Sequence, residues 1–97
     1  MLLSEKMKEL RLQSKLPQRK IAAALDVDTA TYCKFEKNVL RISREQLAKF
    51  AEYIGADSDT LTTLWLADEV KKLVGNDKKE VAKGAMNIVY KSINKTI

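Results

Sequence analysis

The sequence predicts an all-α fold of five or six short helices, and three observations predict it. Apolar residues recur at helical spacing through most of the chain. No segment of useful length alternates apolar and polar residues as a half-buried strand does. Helix start and stop residues, among them Pro17, Asp28, Ser43 and Gly55, punctuate the chain at short intervals.

Taken in order, Ser4 is placed to cap a first helix with Leu3, Met7 and Leu10 inward, ending near Ser14. Pro17 opens a second, because its missing N–H costs nothing in a first turn. Ile21, Ala22 and Leu25 give that helix its apolar stripe. Asp26-Val27-Asp28 interrupts it, and Asp28 is a good cap for a third helix over residues 29–36. Residues 37–42 read as a loop. Ser43 and Gln46 form a capping box for a fourth helix, whose stripe is Leu47, Phe50, Ala51 and Ile54 and whose stop is Gly55. Asp57 or Ser58 starts the fifth, with Leu61, Leu64, Trp65, Ala67 or Asp68, and then Val70, Leu73 and Val74 as its stripe. Asn76 and Asp77 break the chain again, and Asp77 with Glu80 predicts an acidic capping box for the last helix. That helix carries Val81, Ala85, Val89, Ile93 and Ile97 at a spacing of four, flanked by Ala82, Met86 and Tyr90. The reading is one domain over 1–75, with a C-terminal helix over 76–97 that packs or dimerises.

Composition narrows the chemistry. The chain has 97 residues, 45% of them hydrophobic and 32% charged, which is the balance of an ordinary soluble, cytoplasmic domain. A single cysteine, Cys33, excludes an internal disulfide and a cysteine zinc site. The absence of histidine excludes Ser-His and Cys-His nucleophilic catalysis. Gly55, Gly75 and Gly84 lie too far apart to cradle a phosphate. Asp57/Asp59 and Asp68/Glu69 have no base or nucleophile beside them and read as caps and solvated faces. No apolar run approaches the roughly 20 residues of a membrane span. The expectation is therefore no enzyme activity, no cofactor, no membrane association and no small-molecule ligand. The net charge of +5 is unevenly spread: residues 1–20 carry six bases and two acids, 55–77 two bases and five acids, and 78–97 five bases and one acid. Nucleic acid is the sharpest partner consistent with basic ends, although a basic excess is also how many helices stay in water.

The second and third helices, joined by a three-residue break, have the outline of a helix-turn-helix, and the residues suit it. A small residue belongs where the two axes cross, and Ala22 is there. An apolar residue in the turn should pin the pair to the core, and Val27 is there. The third helix is short and turns Tyr32 and Phe35 inward at i, i+3, so its first turn is free to reach base edges in a groove about 12 Å wide.

The stretch LPQRKIAAALDVDTATYCKFEKN resembles the core of the phage-repressor-like (XRE/Cro) helix-turn-helix family. Leu16, Gln18, Ile21, Ala22, Leu25, Val27, Tyr32, Lys34, Phe35, Glu36 and Asn38 fall on that family's pattern without a gap. SREQLAKFAEYIGADSDTLTTLW resembles its fourth and fifth helices, and the likeness covers about residues 3–66. Asp26 and Asn38 stand where the family usually has glycine; both tolerate the left-handed conformation better than most residues. Pro17 replaces a usual capping hydroxyl.

The resemblance implies a repressor-like fold, double-stranded DNA as partner, and roles for particular residues. Gln18 is expected to donate to a phosphate and to buttress the third helix. Thr29 and Ala30 are expected to face base edges, with Lys34 one turn on as a donor to guanine O6 or N7. Arg19, Lys20, Thr31, Lys37, Asn38 and Arg41 are expected to grip the backbone. Glu36 is expected to pair internally with a base of the first helix, Arg11. Cys33 has Lys37 at i+4 but no second cysteine, and reads as a spectator. The apolar surplus of residues 61–97 suggests a homodimer interface that includes Leu61, Leu64, Trp65, Val89 and Ile93. The whole reads as a DNA-binding transcriptional regulator, a homodimer on a palindromic operator, resembling controller proteins of restriction–modification systems. Small phage repressors and antitoxins share the domain, and a helical interaction module without DNA binding is the rival from another class.

Overall fold

Six helices occupy the residues described by the computed structural model, 2–96: α1 Leu2–Gln13, α2 Gln18–Ala24, α3 Thr29–Glu36, α4 Arg44–Ile54, α5 Ser58–Val74 and α6 Lys79–Thr96. Among the described residues there is no strand. Ile97, the last position of the expected C-terminal stripe, lies outside them.

The capping chemistry sets most boundaries. The Asp28 carboxylate accepts from the Thr31 N–H at 2.7 Å and starts α3. Ser43 and Gln46 close a reciprocal box at the head of α4, and Asp57 accepts from Thr60 at the head of α5. Gly55 ends α4 in the left-handed conformation at φ 74°, which a side chain would resist. Asp26 and Asn38 adopt φ 57° and 59°, as the family's glycine positions require, and Lys15 does the same at 56° between α1 and α2. Nothing in the local sequence marks Lys15 for that role. Pro17 is the boundary residue just before α2 rather than its first helical residue.

Two expected caps are corrected. Ser4 lies inside α1, which spans Leu2–Gln13, and is buried. The N–H groups of the first turn of α1 are instead satisfied from across the fold: Leu2 and Leu3 donate to the two carboxylate oxygens of Asp68 on α5, at 3.1 and 3.0 Å. Asp68 is accordingly 2% exposed, not part of a solvated face. α6 starts at Lys79 with the Lys78 carbonyl accepting from Ala82, one residue too late for an Asp77–Glu80 box. Replacing Asp68 by alanine is expected to destabilise the fold by about 1–2 kcal/mol, because it strips one buried and one part-buried donor of their partner. Asn, which keeps one acceptor oxygen, should recover part of the loss; urea unfolding of the two variants measures both.

The core follows from these placements. Leu3 and Met7 of α1, Ile21, Ala22 and Leu25 around α2, Tyr32 and Phe35 of α3, Ile42, then Leu47, Phe50 and Ala51 of α4 and Leu61 of α5 form one buried cluster. Leu16, Val27, Leu64 and Trp65 pack on it half-buried, so Val27 does pin the turn. Tyr32 and Phe35 meet edge to face, with ring centroids 6.3 Å apart. The consequence for function is that α3 is held on its inner side by two aromatic rings, leaving the other side to solvent. Among the described residues of α6, Ala82 alone joins the buried apolar set.

Candidate nucleic-acid interface

α3 is held from beneath by a buried ionic cluster. Arg11 of α1 clamps Glu36 at the end of α3, with Nε to Oε2 at 2.7 Å and Nη2 to Oε1 at 3.0 Å. The side chains are 11% and 3% exposed, so this is an internal pair with little water to screen it. Gln18 Nε2, at the first residue of α2, donates to Glu36 Oε1 at 3.1 Å, and Arg11 Nη1 donates to the Leu16 carbonyl at 3.1 Å. One carboxylate thus ties α1, α2 and α3 together. Burial is the largest single influence on Glu36 and pushes its carboxyl up; the hydrogen bonds it accepts, Arg11's foremost, outweigh that and hold it below the usual range. The Arg11 guanidinium is raised by the same hydrogen bond. The Tyr32 hydroxyl is buried without a hydrogen-bond partner, and burial pushes its ionisation up.

On the outer side of α3, Thr29, Ala30 and Lys34 are all exposed, and Thr31 is half-buried with its N–H already taken by Asp28. Thr31, through its side chain and then its backbone N–H, holds the exposed Asp28 carboxyl below its usual range. Arg19 and Lys20 are exposed on the first turn of α2, and Lys37 and Asn38 on the turn that leaves α3. Gln18 is half-buried, and the amide N–H that holds Glu36 is turned inward.

Arg41 differs from its neighbours. Its Nε pairs with Glu69 at 2.8 Å, its Nη2 donates to the Trp65 carbonyl at 2.9 Å, and its guanidinium carbon sits 4.0 Å from the centre of the Trp65 ring. Trp65 returns a bond from Nε1 to the Ile42 carbonyl at 2.9 Å, and Arg44 approaches the ring at 5.5 Å. The guanidinium expected to reach for DNA is therefore engaged in fastening the α3–α4 loop to α5. Sequence reasoning placed Trp65 in an apolar stripe and missed this. The usable signal was that a half-buried indole N–H needs an acceptor.

The helix-turn-helix family model matches residues 7–61, more than half of the chain. The chain belongs to the phage-repressor-like (XRE/Cro) helix-turn-helix family. It is thereby a DNA-binding protein of the transcription-regulator class. No match was found among curated proteins or among solved structures. The matched segment of this helix-turn-helix protein spans the Arg11–Glu36–Gln18 cluster and the whole outer side of α3, and ends at Leu61.

The expected dimer residues divide. Leu61 is 1% exposed and belongs to the subunit's own core, so it is unavailable to a partner; Leu64 and Trp65 are partly covered by that core. Val89 and Ile93 stand exposed on α6. Cys33 is half-buried on α3. Among the described residues no cluster of His, Cys, Asp or Glu is grouped as metal ligands would be, and no helix is long and apolar enough to cross a membrane.

Proposed function

We propose that this protein is a sequence-specific transcription regulator that acts as a homodimer on a palindromic operator, reading each half-site with the first turns of α3. The observation that carries this reading is that one eight-residue helix, α3, bears an outward row, Thr29, Ala30 and Lys34, and is fixed at its inner side through Glu36 to Arg11 of α1 and Gln18 of α2. A rigid short helix with small residues at its start can approach base edges closely, Thr29 and Ala30 meeting thymine methyls and Lys34 donating to a guanine. Arg19, Lys20, Thr31, Lys37 and Asn38 surround that row and supply the phosphate contacts that set register. Gln18 supports α3 through Glu36, and Arg41 acts indirectly, by keeping the α3–α4 loop against Trp65.

So few readers per subunit give modest direct discrimination. Two subunits on half-sites about one helical turn apart, roughly 34 Å, supply the rest, together with the sequence-dependent stiffness of the DNA between them. Control by the chain's own concentration fits this scheme. The combination of this domain with a short helical extension resembles restriction–modification controller proteins, which makes restriction–modification genes the regulated target in this reading.

Titrating the protein onto duplex DNA at increasing salt tests the regulator reading. Affinity should fall steeply and linearly on logarithmic axes as neutralised phosphates release counterions. Absence of measurable binding at low salt would leave a helical interaction module instead.

A further inference from the structure

Three residues other than glycine hold left-handed backbone: Lys15 at φ 56°, Asp26 at 57° and Asn38 at 59°. Asp and Asn visit that region readily, because their short polar side chains bond locally, so residue type explains two of the three. It does not explain Lys15. Lysine has no such bond to offer, and glycine would hold the same turn without strain. A cation just past the end of α1 gains from that helix's dipole, but at an exposed position the gain is smaller than the cost of left-handed backbone. A residue kept where its backbone conformation disfavours it points to work done by its side chain.

The turn itself is tightly fixed. The Ser14, Lys15 and Leu16 N–H groups donate to the Leu10, Leu12 and Arg11 carbonyls at 3.0, 3.0 and 3.2 Å, and the Leu16 carbonyl accepts from Arg11 Nη1 at 3.1 Å. That guanidinium is the one that clamps Glu36 at the end of α3. One anchor therefore positions both α3 and the turn that carries Lys15. Charge points the same way. Between Glu9 and Asp26 the chain has no acid and four bases, Arg11, Lys15, Arg19 and Lys20. Arg11 is engaged inside the fold, whereas Lys15, Arg19 and Lys20 are exposed, and among the described residues none of those three is ion-paired.

We propose that Lys15 is a DNA phosphate contact, placed by the left-handed turn between α1 and α2 and extending the basic row of Arg19 and Lys20 by one residue. The assignment rests on the reading of α3 as the helix that enters the groove, and adds to it a residue that reads no base but helps to set register. A lysine suits this task because a phosphate needs a cation within reach rather than a shaped pocket.

Lys15→Asn and Lys15→Gly remove the charge while suiting the left-handed turn, so both should leave the thermal midpoint at or above that of the wild type. On two duplexes of unrelated sequence, each should weaken binding about 5- to 10-fold at about 0.1 M salt. Each should also flatten the logarithmic salt slope by about 0.9 per bound subunit, the signature of one lost phosphate contact. Lys15→Arg, which keeps the cation, should keep the slope. Lys72→Gln, an equal loss of charge on α5 outside the segment matched by the family model, should leave it unchanged. A lysine that merely ends α1 would give the opposite pattern, a lower midpoint with an unaltered salt slope. That pattern, a loss confined to one of the two sequences, or an equal flattening by Lys72→Gln overturns the assignment. Wild-type protein that binds neither duplex at low salt defeats the reading of α3 and the assignment with it, whereas wild-type binding with an unchanged Lys15→Asn slope defeats the assignment alone.

Discussion

Replacing Glu36 by alanine is expected to destabilise the protein by about 3–5 kcal/mol, the loss typical of removing one partner from a buried ion pair. The reason is geometric. Glu36 accepts two bonds from Arg11 and one from Gln18, and its loss leaves the Arg11 charge buried with only the Leu16 carbonyl as partner. For a domain of this size the thermal midpoint should drop by more than about 10 °C. Glu36→Gln, which keeps an acceptor oxygen for Arg11 or Gln18, should lose less. Replacing Arg11 and Glu36 together by methionine should recover much of the stability, since no charge is then stranded. A Glu36→Ala protein as stable as the wild type would show that the cluster does not hold α3.

The same carboxylate sets an acid limit. Its ionisation in the folded protein lies below the ordinary 4.5, so the unfolded chain takes up the proton first as pH falls. The contribution of Glu36 is therefore complete above about pH 4.5 and is lost as the pH drops through the folded value. Asp28 and Asp57, also held low by the hydrogen bonds they accept from Thr31 and Thr60, add to the loss in the same direction. Stability measured against pH should fall on the acid side, and the Glu36→Gln variant should fall less steeply there.

Replacing Lys34 by alanine should leave stability unchanged, because the side chain is exposed. It should weaken binding to the cognate site by about 1–3 kcal/mol, or roughly 5- to 150-fold, and relax selectivity at one base position. Competition binding with single-base variants of the operator reads both effects. A loss that is equal on all sequences would instead make Lys34 a phosphate contact.

These two residues also mark how far the sequence could be read. Glu36 pairing with Arg11 was legible because the family pattern surrounds it, and Asp28, Ser43, Gln46 and Gly55 were legible because each acts within four residues of itself. Asp68 was not: the N–H groups it caps lie 65 and 66 residues away, so nothing near it announces the job, and Ser4 looked like the local alternative. Arg41 likewise looked like a free basic residue beside the reading helix until the fold brought Trp65 and Glu69 under it. Leu61 and Val89 carry the same apolar signal in sequence, and only packing separates the core residue from the uncovered one. Local chemistry is readable where donor and acceptor are neighbours, and long-range chemistry is not.

The most direct measurement of the central claim is selection of bound duplexes from a random DNA pool by the 97-residue chain. Enrichment of a palindromic consensus, with two half-sites about one turn apart and a G·C pair in each that the Lys34→Ala protein no longer prefers, is the expected result. Recovery of unenriched sequence, from protein shown to be folded, would contradict it.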